Sequence, residues 1–221
     1  DWGVGLQIIR QAALPTMIAA GLALLAFLFA IAKARPLAWA PLVAALAAGA
    51  AGYVPLAMKS AAESHPFIHD ITTDFDNPPQ ILAAAEMPRS NPPEYVGASQ
   101  APRSEPPMTT AQAQRQAFPD IAPLETPLGV TEATSKAKAA LAGMGMEILA
   151  EGPDGDDAGG GWRIEAVATS RFFGFKDDFI VRITPLDEGS RIDVRSKSRV
   201  GMSDLGANAK RVRAFMTLMK A

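Results

Sequence analysis

The stretch QAALPTMIAAGLALLAFLFAIA, residues 11–32, runs for 22 positions without a charged side chain. A helix needs roughly 20 apolar residues to cross a hydrocarbon core of about 30 Å, so this stretch is long enough to span a bilayer. After Lys33 and Arg35 a second uncharged run, PLAWAPLVAALAAGAAGYVPLAM, occupies residues 36–58. Within lipid, a helix satisfies its own backbone hydrogen bonds, and an irregular chain does not. Two transmembrane helices are therefore expected, at residues 11–32 and 36–58, in an anchor covering residues 1–62. A signal peptide followed by a core helix fits less well, because a second full-length span follows the first at once. Residue 1 is Asp and not Met, so a start upstream of it is expected, and an additional helix there is left open.

The short loop Lys33-Ala34-Arg35 holds two positive charges, whereas Arg10 and Lys59 stand singly outside the pair. By the positive-inside rule this loop is expected in the cytoplasm. The rest of the chain then lies on the far side, which is the periplasmic side of a bacterial inner membrane. The chain has no cysteine, so disulfides do not bear on the compartment. Its net charge of -2 gives no reason to expect nucleic acid as a partner. Membrane lipids and a membrane-protein partner are expected instead.

Beyond the anchor, residues 63–128 are rich in proline, with Pro88, Pro92, Pro93, Pro102, Pro106, Pro107, Pro119, Pro123 and Pro127 forbidding long helices and central strands. Tyr95, Phe118, Ile121 and Leu124 are apolar anchors that would pin this segment to the surface of a domain. Regular structure is expected over residues 129–221. A helix capped by Thr131 carries Ala133, Ala137, Ala140, Leu141 and Met144 on one face, and Gly143 and Gly145 end it. Strands are expected at 146–150, 162–170, 179–186 and 190–200, the last two joined by the turn Asp187-Glu188-Gly189. A final helix runs from about 204 to 219, capped by Ser203 or Asp204. The order α-β-β-β-β-α predicts an α+β domain, an antiparallel sheet with helices on one face forming a two-layer sandwich.

The last strand alternates sharply. Ile192, Val194, Ser196, Ser198 and Val200 point one way, and Arg191, Asp193, Arg195, Lys197 and Arg199 point the other. Arg182, Thr184, Arg163, Glu165 and Thr169 of the preceding strands would share the charged face. That face reads either as a solvated surface laced with ion pairs or as an anion, headgroup or partner site. On the final helix Asp204, Asn208 and Arg211 fall on one stripe, spaced to lock onto Ser196, Ser198 or Arg199 or to line a small polar pocket. Asp177 and Asp178 point to opposite faces of a strand, one as a turn acceptor and the other as a partner of Arg182. The candidate binding residues are thus Asp177, Asp178, Arg182, Asp193, Arg195, Ser196, Ser198, Arg199, Asp204, Asn208 and Arg211.

No catalytic set stands out, and no metal or cofactor is expected. His65 and His69 have helical spacing for zinc, but Pro66 works against a helix there. Asp70, Asp74 and Asp76 lack the spacing of a calcium loop.

Several segments together resemble one family. They are His69-Asp70-Ile71-Thr72-Thr73-Asp74 with Pro78-Pro79, then 173–178, FGFKDD, then 193–201, DVRSKSRVG, and 203–208, SDLGAN. This set is similar to the family known only as domain of unknown function 1499. The resemblance implies an inner-membrane protein with a few N-terminal helices before a domain reaching from His65 to the C-terminus, and it implies no activity. Three functions follow as expectations: a non-catalytic accessory or scaffold subunit of a membrane complex, a lipid or amphiphile-binding module, or an envelope hydrolase using Asp177, Asp178 or Asp204.

Overall fold

The computed structural model describes residues 2–33, 36, 39–155, 160–171 and 173–220, and the side chains of all of these except 2–6, 9 and 10. Of the residues used above, Ala34 and Arg35 of the basic loop, Asp1, Leu37 and Ala38 lie outside the described residues, as does the Arg10 side chain. The chain forms two compact units, Asp1–Ser64 and His65–Ala221.

The first unit is a pair of helices, α1 (Trp2–Ala32) and α2 (Trp39–Ser64). Both contain segments long and apolar enough to cross a membrane, Gln11–Ala32 and Trp39–Ser64. Their outward side chains are apolar and exposed, among them Leu22, Leu25, Phe29, Leu46 and Tyr53. Such a surface suits lipid rather than water. Gly52 is buried where α2 meets α1, and a β-carbon there would come within 3.2 Å of Met17 Cγ. The neighbouring Thr16 hydroxyl donates back to the Ala12 carbonyl at 2.7 Å and so carries no unsatisfied polar group into the apolar layer.

The second unit is α+β. It contains β1 (Asp70–Thr72), α3 (Thr110–Ala117), β2 (Leu124–Thr126), α4 (Val130–Gly143), β3 (Glu147–Pro153), β4 (Trp162–Thr169), β5 (Lys176–Pro185), β6 (Ser190–Ser198) and α5 (Ala207–Lys220). The sheet is antiparallel in the order β1-β6-β5-β4-β3, and β2 also pairs with β6. β1 meets residues 195–197 of β6 and β2 meets 190–192, so the two short strands share one edge of that long strand. The β5–β6 hairpin closes through Gly189, whose φ of +86° turns the chain where a side chain would strike the Thr126 carbonyl.

One face of the sheet carries the apolar core. Ile164, Ala166, Phe179, Val181, Ile183, Ile192 and Val194 meet Ala133, Ala137 and Leu141 of α4 and Val212, Phe215 and Met219 of α5. Phe179 and Phe215 pack edge to face at 5.3 Å. The two-layer sandwich expected from the element order is present.

Several expectations change in detail. Gly129, not Thr131, sits at the start of α4, because its carbonyl already accepts the Ala133 N–H while its own backbone is extended. The strand expected to stop at 150 continues to Pro153 across an irregularity between Ile148 and Ala150, held by pairing with β4. The last helix begins at Ala207, because Leu205 and Gly206 adopt positive φ angles of 54° and 80°. Asp204 still serves the helix start, accepting the Gly206 and Asn208 N–H groups at 2.8 and 2.9 Å.

The proline-rich segment differs more. It reaches past the domain surface and supplies Ile68, Ile71, Ala113, Phe118 and Ile121 to the core. Between Pro107 and Pro119 it forms α3, which Thr109 and Gln112 start with a capping box. Gln114 of α3 is fully buried and acts as a substitute strand for β1, accepting the Thr72 N–H at 3.1 Å and donating to the Thr72 carbonyl at 2.6 Å. Those two backbone groups face away from β6 and would otherwise be orphaned. Replacing Gln114 by Ala is expected to cost about 1–3 kcal/mol of stability, the penalty for unsatisfied buried groups, as measured by denaturant unfolding. An unchanged midpoint would show that the Thr72 pairing contributes nothing.

Candidate functional site

The charged face of the sheet is neither solvated nor open. Residues 74–96 cross it, and most of its side chains are buried: Arg195 is 1 % exposed, Lys197 0 %, Asp193 1 % and Asp178 0 %. The expectation of a solvated face fails for this reason, and a lipid headgroup cannot lie flat against it.

The burial is supported by ion pairs running across the strands. Asp70 of β1 receives Arg195 through Nε and Nη2, both at 2.9 Å, and Lys197 Nζ at 3.0 Å. All three side chains are essentially inaccessible. Burial alone would raise the Asp70 carboxyl, but Arg195 and Lys197 overcome it and hold it below its ordinary value. Burial pushes Lys197 down, and Arg195 beside it adds to the effect against the pull of Asp70. The covering segment supplies the remaining acceptors: the carbonyls of Pro79 and Pro93 to Arg195, and that of Glu94 to Lys197. Tyr95 places its ring 5.4 Å from the Arg195 guanidinium.

Three further clusters complete the face. Arg182 bridges Asp74 at 3.0 Å and Asp193 at 3.1 Å, and Arg191 contacts the same two carboxylates. Asp178 is held by Arg199 and by Arg89. Glu165 accepts the backbone N–H groups of Leu82, Ala83 and Ala84 at 3.0–3.2 Å, with Arg163 at 3.3 Å.

The candidate residues therefore separate into two sets on opposite faces of the sheet. Asp178, Arg182, Asp193, Arg195 and Arg199 lie under the proline-rich cover. Asp177, Ser196, Ser198, Asp204, Asn208 and Arg211 lie at the start of α5. In the second set Ser196 donates to Asn208 Oδ1 at 2.7 Å, and Asn208 Nδ2 donates to Ser198 Oγ at 3.0 Å. Arg211 pairs with Asp177 at 2.9 Å. Burial raises the Asp204 carboxyl to about 6 against the pull of the Asn208 and Gly206 N–H groups.

Asp177 and Asp178 point to opposite faces, but neither meets Arg182. One cross-strand step puts Arg182 opposite Asp193, whereas Asp178 faces Lys197 and lies beside Arg199. Asn208 contacts both serines and not Arg199, which projects through the other face. His65 and His69 follow the end of α2 on irregular chain and share no helix face. Sequence reading missed Asp70, Asp74 and Arg89 as members of the face. A signal for Asp70 existed in the i, i+2 pattern of Asp70 and Thr72, but a three-residue strand is too short to stand out from a proline-rich coil.

Together these features define a class: an apolar helix pair joined to an antiparallel α+β domain whose second face is a buried ionic network. Family comparison matches residues 70–219 to the family described as Protein of unknown function (DUF1499), and the chain belongs to it. No curated protein matches the sequence. Among solved structures, the vertebrate conserved region of human METTL16 is 13 % identical over 48 % of this chain and 85 % of its own, with a TM-score of 0.29. That likeness is too low to support any argument here.

Replacing Asp70 by Asn leaves two buried cations without their carboxylate and is expected to cost about 3–5 kcal/mol. Asp120→Asn, which breaks the exposed pair with Arg213, is expected to change stability by less than about 1 kcal/mol. Equal losses in urea unfolding would contradict this ranking.

Proposed function

We propose that the protein is a non-catalytic, membrane-anchored accessory or scaffold subunit of a larger membrane assembly, with its α+β domain on the periplasmic side of a bacterial inner membrane. The observation that carries the reading is the internal use of the acidic side chains a hydrolase would need. Asp177 is engaged by Arg211, Asp178 by Arg89 and Arg199, and Asp204 by two N–H groups of the α5 start. Each of these carboxylates already has protein partners, which supports a structural role for it.

The anchor supports the same reading. Ala45, Ala48 and Gly49 of α2 are small, and nothing within 4 Å would meet a β-carbon at Gly49. Small faces allow close helix approach in lipid, where packing rather than the hydrophobic effect drives association. Lys33 and Arg35 in the connecting loop favour a cytoplasmic turn.

Capture through a C-terminal tag from gently solubilised native membranes is expected to retain a membrane protein in stoichiometric amount. Recovery of the chain with lipid alone would overturn the scaffold reading. Side is tested separately, and the absence of native cysteine makes the labelling clean. Asp187→Cys, in the exposed β5–β6 turn, is expected to react with an impermeant maleimide in spheroplasts with an intact inner membrane. Labelling only after lysis would place the domain in the cytoplasm.

A further inference from the structure

Three segments of the second unit meet at one end of its sheet. The chain enters there: the His69 carbonyl accepts the Ser198 N–H at 2.9 Å, and Asp70 opens β1 opposite Lys197. β6 leaves there, because the Arg199 N–H donates to the Lys176 carbonyl at 3.1 Å before residues 200–206 turn back along 65–69. That return is fixed by the Asp204 N–H on the Ile68 carbonyl at 3.1 Å, and by Gly206, where a β-carbon would strike the His65 ring. The third segment is the β4–β5 connection, residues 170–175, since Thr169 and Lys176 pair at its base.

The exposed parts of this end are largely apolar or cationic. At the β4–β5 tip the Phe173 and Phe175 rings pack on each other at 5.5 Å, and both are half-buried. Gly174, with a φ of +65°, turns the chain between them. Its N–H donates to the Ser170 carbonyl at 3.1 Å, and the Phe175 N–H donates to the Ser170 hydroxyl at 2.8 Å, so the tip is held in shape. Arg171 and Lys176 flank the aromatics, exposed and without an ion pair among the described residues. The neighbouring loop leaves Met202 61 % exposed. Asp177, Asp178 and Asp204 at this end are engaged within the protein. Glu147, at the start of the outer strand β3, is the exposed acid nearest the tip by register.

Apolar rings beside cations suit a headgroup layer, where the rings occupy the boundary with the acyl chains and Arg and Lys reach the phosphates. Chain continuity brings such a layer close. α2 ends at Ser64, one peptide bond before His65. Beyond its uncharged run, residues 59–64 add only about 9 Å of helix, near the thickness of one headgroup layer.

We propose that this end of the α+β domain rests on the bilayer surface, with Phe173 and Met202 at the headgroup–acyl boundary and Arg171 and Lys176 on lipid phosphates. Such docking requires α1 and α2 to be the membrane anchor read above, and it does not require a partner subunit.

The test uses the full chain, which has no native cysteine, in nanodiscs containing anionic lipid. Single spin labels at Phe173→Cys and Met202→Cys report collisions with oxygen, which concentrates in lipid, and with a water-soluble nickel complex. Leu25→Cys on α1 gives the lipid reference, and Asp187→Cys, in the exposed turn at the opposite end of the sheet, gives the water reference. The two docking labels are expected to meet oxygen more often, and nickel several-fold less often, than the turn label. Arg171→Glu combined with Lys176→Glu is expected to raise nickel access at the Met202→Cys label toward that of the turn label, because an anionic surface attracts cations and repels their replacements. Nickel access at both docking labels equal to the turn label, with Leu25→Cys still shielded, would overturn the docking and leave the anchor standing. Unchanged access in the charge-reversed chain would overturn it too. Free nickel access at Leu25→Cys would instead overturn the anchor on which the docking rests.

Discussion

Asp70, Arg195 and Lys197 form the ion cluster on which the covering of the sheet depends. Two strands meet at this point, and the segment that hides the opposite face is tied down to it. Arg and Lys are donors only, and a carboxylate accepts a limited share of what they offer. The remaining donors need carbonyls, and a proline-rich coil supplies them. Proline contributes an acceptor and no N–H, so such a coil is rich in acceptors that no helix or strand of its own consumes. Pro79, Pro93 and Glu94 donate no part of the sheet ladder, yet their carbonyls complete the coordination of Arg195 and Lys197.

The two faces of the sheet are consequently held by different physics. Under α4 and α5, burial of Phe179, Val181, Ile192, Phe215 and similar side chains supplies the hydrophobic stabilisation. Under the coil, only a small apolar cluster of Ile81, Ala84 and Ile180 accompanies the ion pairs. Buried ion pairs contribute little net stability, because desolvation offsets most of the attraction, while breaking one is expensive. The expected role of such a network here is positional: each carboxylate accepts a particular set of donors, and the coil has few other ways to satisfy them.

This division also bears on function. A charged sheet face that is exposed invites ligand; one that is covered keeps its charges for the fold. The start of α5 behaves similarly, with Ser196, Ser198, Asn208, Arg211 and Asp177 bonded to one another rather than aimed outward.

Charge-free length in residues 11–32 and 36–58 was enough to identify the apolar helices, because a bilayer-scale span is a property of consecutive residues. Alternation was enough to assign Asp177 and Asp178 to opposite faces and to gather Arg191, Asp193, Arg195, Lys197 and Arg199 on one, because side-chain direction in a strand repeats every two residues. Partner choice was not a local property. Whether Arg182 meets Asp178 or Asp193 depends on strand register, and whether the charged face meets water depends on a coil about one hundred residues earlier. Only the tertiary structure decided those, since a three-residue strand and a proline-rich cover take their conformation from what they pack against rather than from their own periodicity.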